Sequence, residues 1–66
     1  MRAYIVAFIS SFDSELKQYY ILAKSRVEAL LKFLETRGII IYNCPTEAEI
    51  IEQVHNMDCQ ISVFKL

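Results

Sequence analysis

The side chains with the most chemical potential in this 66-residue chain cluster towards its C-terminal end. His55 is the only histidine, and Asp58 and Cys59 follow it closely; the second cysteine is Cys44. A cysteine beside a histidine is the pattern of an activated thiolate, so Cys44 or Cys59 with His55 is the one nucleophile–base pair available. That chemistry also needs a group to orient the imidazole and donors for a developing oxyanion. The sequence supplies neither beside these residues. A structural zinc site needs four ligands, usually as two close pairs, and only three scattered candidates exist. The single glycine, Gly38, rules out a glycine-rich phosphate loop. Glu47, Glu49 and Glu52 share one helical stretch, where early acidic residues suit the positive end of the helix dipole. With Asp58 they read as a solvated acidic face. The chain is therefore read as non-enzymatic, with no catalytic residue, cofactor or metal. Both cysteines are read as reduced and partly buried thiols, a single bridge being the alternative.

Size and composition narrow the remaining roles. One domain, residues 1–66, is expected, and a domain this small hides only roughly 60% of its unfolded surface. Yet 55% of the residues are hydrophobic, more than one small core can enclose. Seven basic and eight acidic residues leave a net charge of −1, whereas a nucleic-acid binder of this size carries a basic excess. The N-terminal apolar run lacks a small-residue cleavage site. No run approaches the ~20 residues that span a bilayer, so a cytoplasmic location without membrane contact is expected.

The elements that would position these residues follow from periodicity. Residues 2–9 are rich in Val, Ile, Tyr and Phe and read as a strand. A polar turn, residues 10–16, leads to a second strand over residues 17–24, and the short loop makes the two an antiparallel hairpin. Ser25-Arg26-Val27-Glu28 is a capping box. Val27, Leu30, Leu31 and Leu34 then recur at helical spacing, with Gly38 in the C′ position that takes a left-handed residue; the helix is expected over residues 26–37. Ile39-Ile40-Ile41-Tyr42 reads as a third strand, ended by Cys44-Pro45. Thr46 to Glu49 repeats the capping box before a second helix carrying Ile50, Ile51, Val54 and Met57. Residues 60–66 are the last strand. The expected fold is an α/β (α+β) two-layer sandwich in the order β-β-α-β-α-β, a four-stranded mixed sheet with two helices mostly on one face.

Helices on one face leave the other bare. Side chains alternate along a strand, and here both alternations are apolar, unlike a half-solvated sheet. Small residues allow close helix approach, so Ala3, Ile5, Ala7 and Ile9 are placed under the helices. Tyr4, Val6 and Phe8 then face outward with Tyr20, Leu22, Tyr42 and Phe64. Register is open, and with it the side on which Tyr19 falls against Tyr20. Phe12, at the tip of the first loop, either tucks over the sheet edge or anchors an interface. These eight outward residues form the expected interface, because a bare apolar sheet face exceeds the patch a monomer tolerates. The alternative arrangement, one helix on each face, buries both sides.

The junction from Tyr19 to Leu30, with Tyr19, Ile21, Ala23, Ser25, Glu28, Ala29 and Leu30 at its marked positions, resembles strand-to-helix junctions in very small accessory proteins of tailed bacteriophages and mobile elements. The resemblance spans residues 1–38. It implies a host-directed role, typically inhibition of a host or defence protein by binding. The functional expectation is thus a non-enzymatic protein-binding module, homodimeric through its sheet face. The alternative is a small nucleic-acid- or nucleotide-binding domain that stacks bases on the sheet aromatics, with Arg2, Lys17, Lys24 and Lys65 near phosphates. Negative net charge and the missing RNP motif rank it below protein binding.

Overall fold

A computed structural model of the chain describes residues 1–12, 14–41 and 46–66. These hold β1 (Arg2–Ile9), β2 (Leu16–Ala23), α1 (Arg26–Thr36), α2 (Glu47–Asn56) and β3 (Gln60–Lys65). The class is α+β, but the described sheet has three strands in the order β2-β1-β3, and both pairings are antiparallel. The expected four-stranded mixed sheet is corrected accordingly.

Both helices begin and end where local chemistry dictates. Ser25 caps α1 by accepting the Glu28 amide at 3.1 Å. The Glu28 carboxylate takes the Lys24 amide rather than that of the cap residue, so this box is shifted by one position. Thr46 caps α2 with a complete capping box: its hydroxyl accepts from the Glu49 amide and Glu49 accepts from the Thr46 amide, each at 3.2 Å. At the C-terminus of α1, Gly38 (φ 77°) is left-handed. Gly38 N–H donates to Glu35 and Ile39 N–H to Leu34, the paired bonds of a Schellman motif. The same motif closes α2 with Asp58 (φ 61°) in the glycine position, its amide on His55 O and that of Cys59 on Val54 O.

The Schellman bond also explains the missing strand. It turns the chain sharply at Ile39. Glu47 at the start of α2 meets Arg26 at the start of α1, and residues 39–41 run back along α1. Ile39, Ile40 and Ile41 do so beside Leu31 and Glu35; Ile39 and Ile41 pack on the core while Ile40 is exposed. A short apolar run suits a strand or a packed coil equally. Tyr42 lies outside the described residues.

One core lies between the helices and one face of the sheet. Its large, fully enclosed side chains are Tyr4, Phe33, Leu30, Leu34, Ile50, Val6 and Val54. Phe33 of α1 sits 5.2 Å from the Phe8 ring and 4.9 Å from the Tyr19 ring, both tilted, the arrangement aromatic quadrupoles favour. The Arg37 guanidinium covers the Phe8 ring at 5.1 Å. Tyr4 and Phe8 were expected on the outer face, and this is the main correction to the predicted interface. Two helices resting on three strands leave a deep space that rings fill and alanines would not. The close approach is supplied by Ala29 of α1 and Ala23 of β2, both fully buried.

Candidate functional site

Register fixes what the opposite face carries. Val6 lies between Tyr19 and Val63, and Phe8 between Lys17 and Ile61, on the helix side. Alternation then turns Ala3, Ile5, Ala7 and Ile9 outward. Their cross-strand neighbours are Leu22, Tyr20, Gln18 and Leu16 on β2, and Phe64, Ser62 and Gln60 on β3. Leu66, whose amide donates to Ala3 O at 3.0 Å, extends the last row. No member of this face is charged. Tyr20 is 63% exposed, Leu66 66%, Leu16 and Phe64 55%, and Leu22 48%, so neither helix covers it.

The structure therefore divides the predicted interface residues. Tyr20, Leu22 and Phe64 share the open face. Tyr4, Val6 and Phe8 are core, at 1%, 0% and 3% exposure. Phe12 is 98% exposed in the β1–β2 loop, so it does not tuck back; its amide donates to the Ser10 hydroxyl. Tyr42 and Cys44 lie outside the described residues. Sequence reasoning left Leu16, Ile5 and Ile9 off the face. Pairing Tyr20 with Ile5 rather than Tyr4 would have found them, but that register is set by the hairpin geometry.

The two sheet edges are treated differently from the face. Because Leu66 and Ala3 form a hydrogen-bonded pair, alternation directs the N–H and C=O groups of Ile61, Val63 and Lys65 outward from β3, and those of Leu16, Gln18, Tyr20 and Leu22 outward from β2. Helix α1 takes one carbonyl on each edge. Arg26 donates to Val63 O at 3.1 Å and Lys32 to Leu22 O at 3.0 Å. Arg26 also holds Glu47 through two hydrogen bonds, 2.6 and 3.2 Å, joining the starts of both helices to β3. The hydrogen bond from Arg26 is the main reason the Glu47 carboxyl sits below its ordinary pKa, partial burial working against it; the same bond raises Arg26.

Two of the residues that suggested catalysis share a groove. His55 and Cys59 line an open groove of about 620 Å³ with Ala48, Ile51, Glu52, Gln60 and Ile61. The Cys59 thiol donates to Met57 O at 3.5 Å, and no described bond links it to His55. No cluster of metal-ligating side chains occurs among the described residues, and no described helix is long and apolar enough to cross a membrane. Comparison with protein-family models, curated proteins and solved structures gives no match to this chain.

Proposed function

We propose that this protein is a non-enzymatic protein-binding module that pairs with a second copy of itself through the open face of its sheet. The observation that supports this is the uncharged apolar surface formed by Leu16, Tyr20, Leu22, Ile5, Ile9, Phe64 and Leu66. Such a surface rests stably in water only when small, up to a few hundred Å². A standard interface takes ~800 Å² from each partner, about one sixth of the 4522 Å² surface of this chain; one side of a two-layer sandwich can supply that. A face without charge has no sign for a foreign partner to complement. It does suit a two-fold copy, where each patch must match itself, and a net charge of −1 adds little repulsion between copies. Nucleic acid is disfavoured on this face because it presents no cation to a phosphate. In the dimer the helical layer stays free, which is where a host-directed role of the kind implied by the strand-to-helix junction would be exercised.

Absolute mass by light scattering across a concentration series tests the reading. The expected result is twice the chain mass of 7.7 kDa, falling to the single-chain value when Tyr20 and Phe64 are both replaced by Glu. Because both side chains are exposed, the variant should keep its circular dichroism. A parent protein that is monomeric at every concentration overturns the proposal.

A further inference from the structure

The groove adjoins the start of β3, whose outer edge pairs with no described strand. β3 is an outer strand. The groove is lined by α2 (Ala48, Ile51, Glu52 and His55) and by Cys59, Gln60 and Ile61, with no β1 residue among them; it therefore opens on the side away from the sheet. Along that side the backbone groups of Ile61 and the Val63 amide point outward, and no described hydrogen bond occupies them. Among the described bonds, the Val63 carbonyl is taken by Arg26. Backbone groups of this kind are obligatory hydrogen-bonding partners and serve as a template for an added strand.

Chemistry in the groove specifies the rest of the occupant. Ala48, Ile51 and Ile61 provide apolar wall, suited to one aliphatic or aromatic side chain. Glu52 stands on the rim. The carboxylates of its helix neighbours Glu47 and Glu49 are engaged by Arg26 and by Thr46, whereas Glu52 has no described partner and is exposed. A carboxylate at the mouth of an apolar slot favours a cation on the incoming chain. In a strand, residues i and i+2 share a side.

We propose that the β3 edge and this groove bind an extended peptide by strand addition, the peptide placing an apolar side chain against Ile51 and Ile61 and a Lys or Arg two residues away against Glu52. Strand addition gives affinity through backbone bonds and specificity through alternate side chains. Of the groove residues only Gln60 also belongs to the open sheet face, and the proposal does not depend on the dimer.

The test uses the full chain, ¹⁵N-labelled, and two pools of acetylated seven-residue peptides built on Ser and Thr. In one pool an apolar residue is followed two positions later by Lys or Arg; in the other the cation is replaced by Glu. The first pool should shift the Ile61 and Val63 amide resonances saturably. The second pool, and the first pool whose peptides are N-methylated at alternate residues, should bind at least about tenfold more weakly, since one loses the ion pair and the other the ladder. Glu52→Lys should reverse the preference between pools, and Ala48→Trp, which fills the groove from an exposed position, should abolish binding with the fold intact. The Tyr20/Phe64 double variant should bind the first pool as the parent does. No shift at Ile61 and Val63 at millimolar peptide overturns the proposal. So do shifts confined to the open face or equal binding of both pools.

Discussion

Arg26 joins the start of α1 to both α2 and β3. It bonds Glu47 on α2 and Val63 O on β3 while capping nothing on its own helix. The pair is partly exposed, with side-chain exposures of 47% and 34%, so its contribution to stability is small and screened by salt. Its pH dependence has a definite sign. The Glu47 carboxyl is depressed in the folded chain, so the folded state binds fewer protons than the unfolded one in the acid range. The stabilisation is complete above the ordinary glutamate pKa, about 4.3, and is lost as pH falls through the lower folded value. Glu47→Gln should therefore lower the urea midpoint near neutral pH and narrow that gap as the solution is acidified. Midpoints compared between roughly pH 6 and pH 3 would show it; a constant difference at all pH values would assign the effect to packing instead. The Ser25 and Thr46 caps were legible from sequence at this scale because each involves atoms three or four residues apart. The Arg26–Glu47 contact was not, since it joins residues 21 apart.

At the scale of elements, β1 is the instructive case. Its two alternations, Tyr4, Val6, Phe8 and Ala3, Ile5, Ala7, Ile9, are both apolar, and the strand by itself gives no preference for either. The helices choose: Phe33 needs ring partners, and Phe8 and Tyr19 supply them. A charge introduced on either alternation separates the faces cleanly. Phe8→Asp places a carboxylate where the parent ring is 3% exposed, which costs more than ~4 kcal/mol. A chain of this length has on the order of 3–10 kcal/mol in all, so the variant should lose most or all of its cooperative unfolding transition by circular dichroism. Tyr20→Glu, one strand away on the open side, should keep a cooperative transition, its midpoint lowered only by the stabilisation that self-association contributes. Equal tolerance of both substitutions would contradict the inward phase of β1. The second helix shows the opposite situation, in which one apolar stripe, Ile50 and Val54, faces the core and leaves no ambiguity.

For the whole molecule the governing fact is a two-layer architecture with an excess of apolar residues. One layer of helices can cover only one side of a three-stranded sheet, and the composition of the other side then becomes a statement about association. If a second copy covers it, folding and assembly are coupled by mass action, and the thermal midpoint should rise with protein concentration. A hundredfold concentration series followed by circular dichroism measures this directly. A midpoint that does not move, together with a single-chain mass, would leave the face to a foreign partner. The groove beside β3 also belongs to this scale, because it exists only where α2 packs at the outer margin of the sheet.

The sequence by itself determined the helix limits, the β1–β2 hairpin, the last strand and the surplus of apolar surface. Caps and turns act within a few residues, and periodicity is a pattern that can be read along one element without knowing its partner. Only the tertiary structure decided that residues 39–41 pack along α1 instead of joining the sheet, that Tyr4 and Phe8 turn inward while Ile5 and Ile9 turn outward, and that Tyr20, Leu22 and Phe64 share one surface. A strand that is apolar on both sides is symmetric to local forces. The symmetry is broken by the volume between sheet and helices, which is set by residues far apart in the chain.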